Sequence, residues 1–224
     1  MVLRDHRPVG GAPARADEPR WPASLAILAA LVLYITLPDN LVFGPKWLLP
    51  SLELALLVAL TIASPRRHHE EGPKIRRASI ALIALVNVAN VTSLALLVEH
   101  LLRGGKAGGT QLILAALLIW STNVLIFGLW YWELDRGGPG GRTQPQPRPP
   151  DFLFPQMSNP NLALPHWRPN FVDYLYVSLT NATAFSPTDT MPLTPMAKGL
   201  MAIQSLASLI TVALVAARAV NILS

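Results

Sequence analysis

The chain has no cysteine, which excludes disulfides, thiolate metal sites, cysteine nucleophiles and S-acylation together. Charge is scarce as well: 14% of residues are Asp, Glu, Lys or Arg, while 51% are hydrophobic. With a mean hydropathy of +0.38, that balance lies outside the soluble range and inside the membrane class. Catalytic patterns are missing too. There is no H-E-x-x-H, no intramembrane Asp pair in its motif, and no Ser nucleophile with a paired His in the apolar spans. The chain therefore reads as a non-enzyme with no cofactor and no metal site. The Gly-rich link at residues 104–109 holds Lys106, but Ala107 follows it between two apolar spans, where a P-loop needs Ser or Thr between a strand and a helix. The net charge of +5 falls in short basic clusters beside the apolar spans. Lipid headgroups and insertion topology explain that placement at lower cost than nucleic acid does.

What is present is a series of apolar runs, at residues 21–43, 46–63, 78–101, 110–132 and 195–223. The first is ended or kinked by Pro38, and the second stops at Ser64-Pro65. The expected fold class is all-α: a polytopic integral membrane protein with about five transmembrane helices and one short re-entrant half-helix before the last span. Residues 1–20 read as a disordered basic tail, 21–136 as a four-helix transmembrane scaffold, and 170–224 as a half-helix, turn and final helix. Residues 137–169 are rich in Pro and Gly and read as an irregular or extended linker over the membrane surface, anchored by Phe152, Phe154 and Trp167. Trp130, Tyr131 and Trp132 fit a headgroup belt.

Polar residues inside these runs are the candidates for function or for interhelical bonding. Glu53 and Glu99 are costly in a membrane and keep a proton-linked transporter in play. Asn87, Asn90 and Asn123 read first as hydrogen-bonding glue between helices. On the last helix Gln204, Ser208 and Thr211 form one polar stripe at i, i+4 and i+7, able to line water or to bond a neighbour or their own backbone. The adjacent His68 and His69 lack the facing geometry of a metal site.

The most distinctive stretch is 173–198, DYLYVSLTNATAFSPTDTMPLTPMAK. It resembles, without a gap, the pore segment of potassium channels of the two-helix-plus-pore-loop kind, roughly D-x-x-Y-x-S-x-x-T-x-T-T-V-G-Y-G-D-x-x-P-x-T-P-x-G-R. Tyr176 and Ser178 match the pore helix, Asp189 the acid closing the filter, and Pro192, Thr194, Pro195 and Lys198 the start of the inner helix. The resemblance implies a pore helix carrying Asp173, Tyr176, Ser178 and Asn181, followed by a filter-like turn of Thr183, Ala184, Phe185, Ser186, Pro187, Thr188 and Asp189. In place of T-V-G-Y-G the chain has Ala184, Phe185, Ser186, Pro187 and Thr188, so both filter glycines are absent. Carbonyls lining an axis need the dihedrals that glycine supplies, and Pro187 fixes φ near −65°. A selective potassium filter is excluded on that ground. What remains is a hydroxyl-rich turn that holds a cation through side-chain oxygens, forms a wider hydrated constriction, or caps the next helix. A weaker likeness runs over more of the chain. The aromatic-acidic end at 130–135, Asp173, Tyr176, Ser178, Asp189 and the ending Ala217, Val220, Asn221 are similar to an uncharacterised bacterial inner-membrane family, which implies location and architecture without an activity.

Counting Lys and Arg with a cytoplasmic tail puts thirteen inside (four in the tail, five at 65–77, and Arg136, Arg142, Arg148 and Arg168) against Lys46, Arg103 and Lys106 outside. The expected location is therefore the inner (plasma) membrane with a cytoplasmic N-terminus, and the half-helix enters from the cytoplasmic side. The expected partners are the lipid bilayer, further copies of the chain in a homo-oligomer, and a small ion or solute. Two functions compete: a channel-like protein, and a non-conducting structural or partner-binding protein that keeps the pore-module fold. Reporter fusions after Pro150 and after Ser224 are expected on opposite sides of the membrane. Finding both on one side would replace the re-entrant half-helix with a sixth crossing.

Overall fold

The computed structural model describes residues 18–19, 21–42, 44–63, 66–67, 73–103, 109–142, 144, 148–159, 161, 163–165, 167–184 and 189–223. The long elements are helices α1 (Trp21–Ile35), α2 (Leu48–Ala63), α3 (Pro73–Leu102), α4 (Gly109–Leu134), α7 (Phe171–Ala184) and α8 (Pro195–Leu223). Two single-turn helices, α5 (Pro139–Arg142) and α6 (Pro155–Ser158), lie between α4 and α7. Proline stands at the first position of α3, α5, α6 and α8, where its missing N–H costs nothing and its fixed φ suits the helix. Two short antiparallel pairs complete the chain: β1 (Glu18–Pro19) with β2 (Arg66–Arg67), and β3 (Phe152–Leu153) with β4 (Met191–Pro192).

Among the described residues three helices are long and apolar enough to cross a membrane: Lys74–Leu102, Gly109–Gly137 and Pro195–Arg218. The first two apolar runs give shorter helices than their sequence suggested. Helix α1 has 15 residues and α2 has 16, about 22 and 24 Å at 1.5 Å per residue, against a hydrocarbon core of ~30 Å. The cause is local. Pro38 holds an extended conformation, φ −58° and ψ 145°, and a 3₁₀ turn at Asp39–Leu41 follows. The residue before a proline is itself driven out of the helical region, so α1 cannot continue to residue 43. Lys46 seals this bend by donating to the Leu37 carbonyl at 2.6 Å and pairing with Asp39 at 3.0 Å.

Helix α4 is the centre of the assembly, with α1, α3, α7 and α8 all packed against it. Of its spanning window 61% is buried inside the chain, against 22% for α8. A helix apolar all round belongs in such a position. One core runs from Ala23, Ile27 and Leu31 of α1 through Leu82 and Val86 of α3 to Ile126, Leu129 and Tyr131 of α4 and Tyr174 and Val177 of α7. A second gathers Tyr34, Leu37 and Leu41 with Leu97, Leu112, Ala115 and Ile119 at the other end. The outward faces carry Leu25, Val32, Leu52, Leu54, Ile203, Leu206 and Leu209, all exposed.

Two side chains of the Pro/Gly-rich segment are built into the core. Phe152 and Phe154, expected as interfacial anchors, are 1% and 3% exposed and stack on Tyr131 and Tyr174 at ring-centroid distances of 5.0 and 5.3 Å. Of the expected aromatic belt, Tyr131 and Trp132 are likewise core residues. Most of the expected disordered tail, including residues 1–17, lies outside the described residues.

Helices α4 and α7 approach most closely at Gly128. A Cβ built there meets the Leu175 Cα at 3.2 Å, the small-residue contact that lets two helices touch backbone to backbone. Gly128→Val is therefore expected to push α7 off α4, lowering stability by about 1–3 kcal/mol. A thermal melt of the purified protein in detergent checks it.

Candidate functional site

Helices α4, α7 and α8 enclose a polar seam built around one side chain. Gln204 of α8 is fully buried. Its Oε1 accepts from the Tyr131 hydroxyl at 2.5 Å and from Asn181 Nδ2 at 2.8 Å. Its Nε2 donates to the Ser178 carbonyl at 2.9 Å and to Ser178 Oγ at 2.7 Å. Both donors and both acceptor positions of the amide are thereby used. The orientation is fixed by its neighbours: Asn181 Nδ2 also donates to the Met201 carbonyl at 3.0 Å, so the atom facing it must be the Gln204 oxygen. The bonding spreads outward. Ser178 Oγ donates to the Val124 carbonyl at 2.7 Å, Ser205 Oγ to Asn181 Oδ1 at 3.1 Å, and Asn123 Nδ2 to Ser208 Oγ at 3.0 Å.

Helix α7 is set for this role by its sequence. Its buried positions Phe171, Tyr174, Val177, Ser178, Asn181 and Ala182 repeat at helical spacing, leaving Val172, Tyr176 and Leu179 exposed. Its start is a reciprocal cap: Val172 N donates to Asn170 Oδ1 at 2.8 Å, and Asn170 N donates to Asp173 Oδ2 at 2.7 Å.

A second cluster ties the ends of these helices together. Asp135, fully buried, accepts from the Tyr174 hydroxyl at 2.6 Å and from Asp151 N at 2.7 Å. Asp151 in turn accepts from Arg136 N and from Thr194 Oγ1, both at 2.8 Å, and Thr194 Oγ1 caps α8 through Ala197 N at 3.3 Å. Arg142 folds back onto the end of α4, donating to the Trp132 carbonyl at 2.7 Å and the Asp135 carbonyl at 3.2 Å, the place where a helix favours a cation. Its guanidinium lies 5.1 Å from the Tyr174 ring centre. The chain reverses for this through Arg136, Gly137 and Gly138, all with positive φ. At Gly138 the φ of 88° and a Cβ that would sit 2.7 Å from the Glu133 carbonyl leave no residue but glycine.

The residues singled out from the sequence fall in different places. Ser178, Asn181, Gln204, Ser208 and Asn123 converge in the seam. Thr211 is buried and bonds the Ala207 carbonyl of its own helix at 2.8 Å. The polar stripe of α8 thus faces α4 and α7 rather than an open passage within the chain. Asp173 caps α7, and Tyr176 is exposed on its outer face. Thr183 is exposed and bonds back to the Leu179 carbonyl at 2.9 Å, Ala184 ends α7, and Asp189 is exposed. Phe185, Ser186, Pro187 and Thr188 of the filter-like turn lie outside the described residues, as do His68 and His69. Glu53 is buried, with Oε1 making no hydrogen bond among the described residues. Glu99 is not an interior acid: it is exposed at the end of α3, paired with Arg103 at 2.8 Å. Asn90 is buried and Asn87 half-buried on α3. Sequence reasoning missed Tyr131, hidden in an apparent aromatic belt, Asp135, read only as a charge at the end of the expected scaffold, and Arg142 and Asp151, hidden in an apparent linker. The signal available was the D-R-G-G-P-G-G-R run at 135–142, whose glycines mark a tight reversal as readily as flexibility.

No protein-family model matches the chain, and neither curated proteins nor solved structures give a match.

If Gln204 holds the seam together, Tyr131→Phe and Gln204→Leu should each destabilise, the latter by about 1–3 kcal/mol because Ser178 and Asn181 are left unsatisfied. The double variant should cost less than the sum, as for groups sharing one network. Thermal or chemical unfolding of the four proteins in detergent measures that coupling.

Proposed function

We propose that the chain is a non-conducting integral membrane protein in which a pore-like helix–turn–helix unit serves as scaffold. In this reading it lies in the inner membrane with its N-terminus in the cytoplasm, and α7 is a half-helix entering from that side. The observation that carries the proposal is the saturation of the polar seam. Ser178, Asn181, Gln204 and Ser208 bond to one another and to α4 inside one chain, so they are already spent before any second copy arrives.

The outer face of α8 supports the same conclusion. It offers Ala202, Ile203, Leu206, Leu209, Ile210, Val212 and Ala213. A ring of copies packed on that face would enclose an apolar seam, and dry hydrocarbon does not pass ions. The small residues Ala202, Ala213 and Ala217 are exposed there and suit close packing of helices between copies. The lost filter glycines argue in the same direction. The likeness to the potassium-channel pore segment then describes a shared helix–turn–helix pattern whose polar positions have become internal bonds.

Planar-bilayer recording and vesicle flux with purified protein test the proposal. Neither K⁺, Na⁺, H⁺ nor Cl⁻ is expected to cross above the protein-free background, and Asp189→Asn and Glu53→Gln should behave as the parent does. A current that saturates with ion concentration and is altered by Asp189→Asn would establish the channel reading instead.

A further inference from the structure

The reversal after α4 leaves a cleft of about 140 Å³, lined by Arg76, Glu133, Arg136, Gly137, Pro139, Gly140, Gly141, Gln144 and Arg148. Three of the lining side chains are guanidiniums, and one is a carboxylate. None of the three guanidiniums is fully occupied. The only ion pair of Arg76 among the described residues is with Glu133, at 4.0 Å, too long for a hydrogen bond, and its buried Nε makes none. Arg136 stands 3.8 Å from Asp135 through Nε, which is also buried without a hydrogen bond, while Asp135 is bonded to Tyr174 and Asp151. Arg148 has no ion pair among the described residues, and its Nη1 lies 4.0 Å from the Cβ position at Gly137.

The glycines leave the floor of this cleft bare. A Cβ at Gly141 would sit 2.4 Å from the Arg136 carbonyl, so the turn is closed against its own backbone, and the three arginines line the cleft together with Glu133 and Gln144. Guanidinium forks recognise oxyanions through paired N–H donors, carboxylate and phosphate best of all. The volume is well below the ~300 Å³ at which pockets begin to take drug-sized molecules, so it suits a single small oxyanion group. Arg76 stands in the first turns of α3 and Glu133 at the end of α4, so the cleft opens where two of the long apolar helices end.

We propose that this cleft binds a phosphate group, presented either by a free phosphate or by an anionic lipid headgroup at the membrane surface. Arg148 and Arg136 close over the anion, and Arg76 meets it from α3. The proposal does not depend on whether the protein conducts.

Two measurements on the full chain test it. In a maltoside detergent, equilibrium dialysis with labelled inorganic phosphate reads the first source. In nanodiscs of phosphatidylcholine doped with phosphatidic acid, retention of the anionic lipid by the purified protein reads the second. Saturable binding near one per chain is expected in at least one arm. Arg148→Gln, on an exposed side chain whose loss leaves the fold intact, should weaken that binding about tenfold, as expected for one lost charge-assisted contact. Arg136→Gln should do the same. Arg103→Gln, at the opposite end of α3, should leave it unchanged. The proposal is overturned if neither arm saturates, if Arg148→Gln and Arg136→Gln bind as well as the parent, or if Arg103→Gln weakens binding equally, since that would make the effect one of general surface charge.

Discussion

A primary amide buried among apolar helices is tolerable only when every one of its hydrogen-bonding positions is met, and Gln204 imposes that condition on this protein. Left unpaired, the amide would cost several kcal/mol on transfer from water. Satisfied by Tyr131, Asn181 and Ser178, it fixes three helices in register, because no sliding of α8 along α4 or rotation of α7 keeps all four bonds. Hydrophobic contact alone gives weak orientation between helices whose surroundings are also apolar. The seam supplies the orientation that the apolar packing lacks. The close approach of α7 at Gly128 and the reversal that carries Arg142 back onto α4 both follow from the same helix–helix arrangement.

The two polar centres of the chain divide the work. The seam is closed and neutral, with no charged group among its partners, and it lies along the middle of the α4–α7–α8 unit. The cluster at the helix ends is charged, joining Asp135, Asp151, Arg136 and Arg142 to Tyr174 and Thr194. Charges belong there and not in the seam, since a buried ion must be paired and hydrogen-bonded to survive desolvation. At its edge Arg76 and Arg136 each keep a buried Nε without a hydrogen bond among the described residues. A binding role is therefore better placed at the surface cleft than in the seam, whose side chains have used up their donors and acceptors on each other.

Much of this was legible in the residues. The apolar runs of α3, α4 and α8 are long enough that composition alone identifies them; Ser64-Pro65 marks the end of α2, and Pro195 the start of α8. The polar stripe Gln204, Ser208 and Thr211 was visible at its helical spacing, as was the choice between lining water and bonding protein. The partner was not visible. Tyr131 lies 73 positions before Gln204, and nothing local distinguishes a tyrosine that faces headgroups from one that faces an amide. The segment after α4 was read as a linker because its glycines and prolines signal irregular chain. Irregular is what much of it is, yet Phe152 and Phe154 reach into the core and fill space that the helices leave open.

By itself the sequence determined the class of the protein: helical, apolar, without the groups that thiol, metal-protease or P-loop chemistry needs, and without the glycines of a carbonyl-lined filter. Those are properties of residue type and spacing, and they hold in any fold the chain adopts. Only the tertiary structure decided what the polar residues do, because a hydrogen bond is a relation between two positions and the sequence records one at a time. It assigned the stripe of α8 to α4 and α7, turned Asp173 and Thr194 into caps, sent Glu99 to the surface, and gathered Arg76, Arg136 and Arg148 from two distant stretches around one small cleft.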